Sequence, residues 1–193
     1  MAETSSAAAQ LLQPKIKALI LDFDSTISTP TFLHRLQTWC VADNLKLFQA
    51  MSEAEILANF GGTGRIAALK ALLGALEAAG VRLHIVSIGM KAAIVPHLKT
   101  AGLVSHFPEE LIWGQDCHEL RSLGFVKGRL IAQLMSVAGW QHSDVLFVDD
   151  SKEHIDKAQP VCRTLLVESK ATVGGMGPYE FAAIRKAAGL AEE

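Results

Sequence analysis

Cysteine, net charge of either sign and long apolar runs are all scarce in this sequence. The three cysteines, Cys40, Cys117 and Cys162, lie far apart among 193 residues, and a sparse, odd set indicates reduced intracellular thiols rather than a disulfide framework. A net charge of −2 gives no electrostatic reason to expect nucleic acid or an anionic membrane as a partner. The apolar runs are much shorter than the roughly 18 residues of a membrane span. These absences predict a cytoplasmic protein that binds neither nucleic acid nor membrane.

The N-terminal stretch 1–14, MAETSSAAAQLLQP, differs in composition from the rest of the chain. It is rich in alanine and serine, carries the acid Glu3 and has no basic residue, so a disordered tail is favoured over an organelle presequence. About half of the sequence is apolar, which is enough for one sizeable core. We therefore expect a single domain over 15–193.

Short apolar runs alternate with longer helical patterns along this domain. Strands are predicted at 16–23, 82–89, 111–114, 144–150 and 162–168, and helices at 64–80, 90–102, 127–139 and 177–189. Pro96 should disturb the first turns of the second of these helices. Continuous hydrophobic strands between helices are typical of a parallel sheet covered on both faces. The predicted fold class is α/β, with a Rossmann-like parallel sheet.

The segment 29–62 interrupts this alternation. It carries helical patterns and no strand, between the first and second predicted strands. We interpret it as a short helical insertion beside the sheet. Trp39, Phe48 and Phe60 lie in it at near-helical intervals, which favours a small core for the insertion over a platform for substrate.

Polar side chains end three of the predicted strands. Asp22 and Asp24 follow the first strand, Ser87 ends the second, and Asp149 and Asp150 end the strand at 144–150. Ligands bind at the carboxyl ends of strands in open parallel sheets. Four carboxylates at one edge would repel one another, and Mg²⁺, which prefers carboxylates, water and phosphate oxygens, resolves this conflict.

An aspartate beside Mg²⁺ and a phosphoryl group can attack phosphorus and form an aspartyl-phosphate. A second acid can protonate the leaving oxygen and then activate water. The phosphoryl oxygens need donors as well. Ser87 supplies a hydroxyl, and Lys127, which opens the helical pattern before the acidic strand, supplies an ammonium group.

These residues resemble the four motifs of the haloacid dehalogenase (HAD) superfamily of phosphohydrolases, in order, from about residue 16 to 167. The motifs are DFDST at 22–26, VSIG at 86–89, VKG at 126–128 and VDDS at 148–151. The resemblance implies that Asp22 is the nucleophile and a metal ligand. It also implies that Asp24 is the general acid and base and gives its backbone carbonyl to the metal.

The resemblance assigns the remaining motif residues to phosphate and metal. Ser87 and Lys127 would bind the phosphoryl group, and the same motifs place Thr26 and Gly89 among the candidate substrate-binding residues. Asp150 would be the direct metal ligand, with Asp149 beside it or bonded through water. Mg²⁺ is the implied cofactor.

Asp24 narrows the expected chemistry. Dehalogenases of the superfamily lack this acid, because they do not protonate a leaving alcohol, so its presence favours a phosphatase. It does not separate a phosphatase from a phosphotransferase or phosphomutase. The insertion is short for a full helical cap, so we expect an open or partly covered site that water reaches.

Two further residues, Arg65 and His154, each have a structural and a functional interpretation. FGGTGR at 60–65 is either a flexible joint or an anion cradle in which Arg65 would bind the substrate. His154, which follows the acidic motif, is either a surface helix residue, the favoured interpretation, or a residue that faces the metal.

The predicted function is hydrolysis of a phosphomonoester with Mg²⁺, through an aspartyl-phosphate. Phosphotransfer on the same residues and a low-turnover regulatory module that binds phosphate are the alternatives. The substrate is a phosphorylated small molecule or a phosphoprotein, and the sequence favours neither of them. The oligomeric state is equally open.

Overall fold

A computed structural model of the chain describes residues 15–31, 44–168 and 174–191. The predicted tail 1–14 and part of the insertion, with Trp39 and Cys40, lie outside the described residues. Within the described ranges, each helix is too short or too polar to cross a bilayer. Cys117 and Cys162 are not disulfide-bonded.

Five parallel strands form one sheet. They are β1 (Ala18–Leu21), β2 (Arg82–Val86), β3 (Ile112–Trp113), β4 (Val145–Asp149) and β5 (Arg163–Leu166). Their order across the sheet is β3-β2-β1-β4-β5. β1 lies in the centre, paired with β2 on one side and β4 on the other. The α/β parallel sheet predicted from the sequence is confirmed, and the observed strands are shorter than the predicted runs.

Helices cover both faces of this sheet. They are α1 (Asn44–Ala50), α2 (Glu53–Asn59), α3 (Gly62–Ala78), α4 (Lys91–Thr100), α5 (His118–Ser122), α6 (Lys127–Ala138), α7 (Lys152–Ala158) and α8 (Pro178–Ala188). Successive side chains of β1 point to opposite faces. Leu19 and Leu21 join one core with residues of α3, α4 and α8, and Ala18 and Ile20 join the other with residues of α6 and α7.

Pro96 does not interrupt α4, contrary to the expected disturbance of its first turns. The helix runs from Lys91 to Thr100 with Pro96 inside it. A proline at this position removes one amide donor, whose helical acceptor would be the carbonyl of Ala92. Ala93 and Ile94 are buried beside the proline, so packing holds the helix together where one hydrogen bond is missing.

The insertion contains α1 and α2, and it packs onto the main domain. α2 begins at a capping box in which Ser52 and Glu55 bond each other's backbone amides. Leu47, Ile56 and Phe60 belong to the same core cluster as β1. The described part of the insertion is therefore anchored by the central core, and the sequence-based interpretation of a separate small core is wrong for Phe60.

Two buried histidines, one on each side of the sheet, are held neutral. His97 of α4 places Nδ1 3.1 Å from the Ala93 carbonyl and Nε2 3.4 Å from the Asn59 amide nitrogen. His84 of β2 stacks on Trp113 with ring centroids 5.6 Å apart. Neither nitrogen of His84 has a hydrogen-bond partner among the described residues. Burial lowers the pKa of each imidazole from 6.5 to about 4.

These histidines predict acid sensitivity. A group whose folded pKa is depressed stabilises the fold above its unfolded pKa, and this stability is lost as the pH falls through the folded pKa. Each imidazole therefore lowers the free energy of unfolding by up to about 3 kcal/mol as the pH falls from 6.5 to 4. We expect His84→Phe to flatten the loss of unfolding free energy over this window in urea titrations. His118→Phe, at an exposed histidine, is the control, and equal pH slopes for the two variants would contradict the prediction.

Candidate active site

The site begins where β1 ends. The amide of Asp22 continues the pairing with β4 by donating to the Val148 carbonyl at 2.9 Å. The chain then makes one wide turn, Phe23–Ile27, closed by a bond from the Ser28 amide to the Phe23 carbonyl. Ser25 has a φ of 58°, in the left-handed region that non-glycine residues seldom adopt. This turn brings Asp24 back over the end of the sheet, so both acids lie at the carboxyl edge where β1 separates β2 from β4.

A buried lysine connects the two acidic strand ends. Lys127 is the first residue of α6, as predicted, and its side chain is only 2% exposed. Its Nζ lies 2.5 Å from Asp22 Oδ1 and 2.6 Å from Asp149 Oδ2. The other oxygen of Asp149 accepts from the Ser151 amide at 2.7 Å. Lys127 therefore holds two carboxylates from neighbouring strands against one ammonium group.

Three carboxylates of the site could hold a metal ion. Asp22, Asp149 and Asp150 each offer an oxygen, and these oxygens lie within 4.8 Å of one another. Lys127 supplies one positive charge against three carboxyl groups. Hard divalent cations take such all-oxygen ligand sets, so the donor chemistry of these residues fits a divalent cation.

Crowding and burial shift the carboxyl groups toward the protonated form. Burial and the nearby charge of Asp22 raise the pKa of Asp24 from 3.8 to about 7. Burial, again with the charge of Asp22, raises the pKa of Asp149 to about 7 and of Asp150 to about 6. Burial alone would lower the pKa of Lys127. The negative charges of Asp22 and Asp149 and their hydrogen bonds to the ammonium group outweigh burial, so the pKa of Lys127 is raised. At neutral pH the metal-free site therefore holds a protonated fraction of Asp24 beside a charged lysine.

The loop after β2 places a hydroxyl and a glycine against Asp24. The Gly89 amide donates to Ser87 Oγ at 3.0 Å. A Cβ on Gly89 would lie 2.6 Å from Asp24 Oδ2 and 3.3 Å from Ser87 Oγ. Any larger residue here would push the Asp24 carboxyl group out of this position. Asp24 Oδ1 is buried without a hydrogen-bond partner among the described residues.

A neighbouring loop fixes the position of this glycine loop. The Gln115 amide donates to the Gly89 carbonyl at 2.9 Å. The carboxylate of Asp116 accepts from the amides of Lys91 and Ala92, at 2.6 and 3.0 Å, and so caps the N-terminus of α4. An acid at a helix N-terminus satisfies unpaired donors and complements the helix dipole. Neither residue is predicted from the sequence, because the segment after β3 carries no motif.

These groups surround one cavity of about 270 Å³. The predicted residues that line it are Asp22, Asp24, Ser87, Gly89, Lys127, Asp149 and Asp150. Phe48, Gln115 and His154 line it as well. Phe48 packs against the core, as the sequence indicates, and also lines the cavity, whereas the sequence favours a surface position for His154. His154 instead faces the cavity half-buried, and burial, with the charge of Lys127, lowers its pKa.

Arg65 and Thr26 do not line this cavity, in contrast to their predicted roles in substrate binding. The guanidinium group of Arg65 donates to the carbonyls of Thr26, Ile27, Phe60 and Met176, at 3.1, 2.6, 3.0 and 3.1 Å. Arg65 therefore joins the turn after β1 to the C-terminal segment. Thr26 is fully buried, and its hydroxyl contacts no polar partner in the described part of the chain.

Comparisons with solved structures identify the same fold. The HAD domain of the effector protein Lem4 from Legionella pneumophila is 13% identical, with 91% of this chain and 94% of that chain covered and a TM-score of 0.56. The deoxy-D-mannose-octulosonate 8-phosphate phosphatase YrbI from Haemophilus influenzae, solved with cobalt, is 16% identical over 91% and 90%, with a TM-score of 0.52. A haloacid dehalogenase-like family hydrolase, SP0104 from Streptococcus pneumoniae, is 13% identical over 88% and 91%, with a TM-score of 0.51.

Other similar structures include a dehalogenase, 12% identical with a TM-score of 0.53, so the likeness spans more than one chemistry. No curated protein sequence gives a significant match. The family described as "Protein of unknown function (DUF2608)" matches residues 120–167, a segment that holds Lys127, Asp149 and Asp150. The chain therefore has the fold of the haloacid dehalogenase-like hydrolases, as its four sequence motifs predicted.

Proposed function

We propose that this protein hydrolyses phosphomonoesters with Mg²⁺, through an aspartyl-phosphate on Asp22. One observation carries the proposal: a charged lysine and a second acid, Asp24, share a cavity with Asp22, and the pKa of Asp24 is raised to about 7. A dehalogenase has no use for such an acid, because a halide leaves without a proton. A phosphatase needs one for the leaving alcohol.

In the first step an oxygen of Asp22 attacks phosphorus, and the bond from phosphorus to the ester oxygen breaks. The carboxyl proton of Asp24 passes to that oxygen, so a neutral alcohol departs. Lys127 and Ser87, which line the same cavity, bind the phosphoryl oxygens. The ion pair with Lys127 also orients the attacking carboxylate, and orientation of this kind is the main source of catalysis in phosphoryl transfer.

In the second step Asp24, now a carboxylate, accepts a proton from water, and the hydroxide oxygen attacks phosphorus. The bond from phosphorus to Asp22 breaks, and inorganic phosphate is released with both carboxyl groups restored. The pKa of about 7 suits this exchange, because a group near neutrality both gives and takes a proton readily.

The cation would be held by Asp22, Asp149 and Asp150. When bound, Mg²⁺ would neutralise the negative charge of the phosphoryl oxygens, which otherwise lie next to negatively charged carboxylates. Asp149 keeps its bond to the Ser151 amide and its contact with Lys127, which hold its oxygens in place.

The proposal is tested by phosphate release from a panel of phosphomonoesters, including p-nitrophenyl phosphate, with Mg²⁺ or with EDTA. We expect release with Mg²⁺ that EDTA abolishes and excess Mg²⁺ restores. Product formation that depends on an added acceptor alcohol would instead identify a phosphotransferase. A rise in melting temperature with Mg²⁺, without release from any ester, would favour the alternative of a low-turnover regulatory module.

Asp24→Asn tests the acid separately from the nucleophile. Asparagine keeps the shape but cannot donate the proton, so we expect kcat for an alkyl phosphate to fall by about 10²–10⁴-fold. p-Nitrophenolate leaves without protonation, so the first step with p-nitrophenyl phosphate should be affected much less. Burst kinetics with this ester measure that step, and an equal loss for both esters would contradict a role as general acid.

A further inference from the structure

The cavity is lined by two chemically different sets of residues. The first set, the carboxylates with Lys127 and Ser87, is used in full by the proposed chemistry. The second set, here called the apolar wall, consists of Phe23, Phe48, Ile88, Met90, Ala93 and Ile94. A phosphomonoester bound by the first set would therefore meet mostly hydrocarbon in the rest of the cavity.

Two helices contribute to this apolar wall. Phe48 comes from α1 of the insertion, and Ala93 and Ile94 come from α4. Phe48 packs edge-on against His97 of α4, with ring centroids 4.3 Å apart. The wall is thus held by a contact between the insertion and the main domain, and it is continuous with the buried core.

Polar groups that could recognise a sugar or a charged group are few on this wall. Besides the acids, Lys127 and Ser87, the described lining contributes the polar side chains of Gln115, Ser151 and His154. Lys127 is the sole lysine or arginine in that lining, and Asp22 and Asp149 already pair with it. Arg65, the cation that the sequence offered for substrate binding, donates to backbone carbonyls instead.

We infer that the substrate is a phosphomonoester of an uncharged, largely hydrocarbon alcohol. The inference rests on the proposed function and adds the class of leaving group to it. Most hydroxyls of a sugar would lose water against this wall without gaining a partner, and unpaired polar groups of this kind are strongly selected against in binding sites. A second anionic group would meet the carboxylates of the site and, within the described lining, no cation other than Lys127.

A matched set of esters tests the inference without a difference in leaving-group chemistry. Cyclohexylmethyl phosphate, glucose 6-phosphate and phosphoserine are all esters of primary alcohols. They carry, in turn, a bare ring, a hydroxylated ring and a charged group. We expect kcat/KM for cyclohexylmethyl phosphate to exceed that of the other two by at least about tenfold. Equal values, or a preference for glucose 6-phosphate or phosphoserine, would overturn the inference and leave the proposed function intact.

Phe48→Ala tests the wall itself. Phe181→Ala is the matched control, because Phe181 is also a partly buried phenylalanine packed on the core, and it does not line the cavity. We expect Phe48→Ala to reduce the preference for the cyclohexylmethyl ester by about fivefold or more, and Phe181→Ala to leave the ratio unchanged. A preference that Phe48→Ala does not alter would remove the wall from the explanation.

Binding to the Asp22→Asn variant separates this inference from the proposed function. Calorimetry with the same three esters reads selectivity without turnover. Tighter binding of cyclohexylmethyl phosphate, in a protein whose native form releases no phosphate, would support the inference and overturn the proposed function. Equal binding of the three esters would overturn the inference.

Discussion

Replacement of Asp22 by asparagine reduces phosphate release by about 10⁴-fold or more, the loss expected when a covalent nucleophile is removed. Asparagine has the same shape, and it removes one negative charge from a site that holds four acids. The variant should therefore stay folded, with a melting temperature close to that of the native protein. Phosphate release with Mg²⁺ and an alkyl phosphate measures the effect.

Asp156→Asn is the control for this change. Asp156 is an exposed acid of α7 that pairs with Lys152, and its replacement should leave turnover unchanged. If Asp22→Asn kept activity within about tenfold of the native protein, poorer positioning of the substrate would be enough to explain so small a loss. A covalent aspartyl-phosphate on Asp22 would then be excluded.

Replacement of Lys127 by methionine produces the largest combined loss of activity and stability. Methionine fills the space of the aliphatic chain but leaves Asp22 and Asp149, both almost fully buried, without a countercharge. Removal of one partner from a buried ion pair costs about 3–5 kcal/mol, which corresponds to a fall in Tm of roughly 6–20 °C for a domain of this size. Differential scanning calorimetry in EDTA measures it.

The pH dependence and the Mg²⁺ dependence of the Lys127→Met variant's stability show whether its deficit is electrostatic. The deficit should grow as the pH rises above 7. Lys127 holds the pKa of Asp149 down to about 7 in the native protein, so its loss raises this pKa and makes ionisation of the buried carboxyl group more costly. Mg²⁺ should raise the Tm of the variant more than that of the native protein, since it replaces the missing positive charge. Lys152→Met breaks an exposed pair and should change little. Equal Tm values for the two variants would contradict the electrostatic account.

The sequence predicted those parts of the site that local chemistry marks. Asp22, Ser87 and Asp149 each follow a buried hydrophobic run, so strand alternation and the carboxyl-edge rule were enough to bring them together. Lys127 is predicted by its place at the start of a helical pattern that leads into the acidic strand. The family resemblance also implies that the first strand lies between the second and the acidic fourth strand, and the structure agrees with this placing.

The residues that the sequence did not predict act through contacts that no local pattern encodes. Arg65 follows a glycine-rich loop, which looks like an anion cradle, but its acceptors come from the turn after β1, the end of α2 and the C-terminal segment. Asp116 caps a helix that begins 25 positions earlier in the chain. Phe48 reaches the cavity only because the insertion folds back onto α4. Long-range placements of this kind depend on the assembled tertiary structure.

The central position of β1 has a consequence for synthesis on the ribosome. Of its two partners, β2 follows early, whereas β4 begins at Val145 and is made long after β1. At roughly 5–20 residues per second, one edge of the nascent strand waits on the order of ten seconds for its neighbour. That edge belongs to a fully buried hydrophobic strand, and an unpaired hydrophobic edge recruits other strands. The side of β1 that β4 will cover is therefore the part of the half-built sheet that is open longest to pairing with another chain.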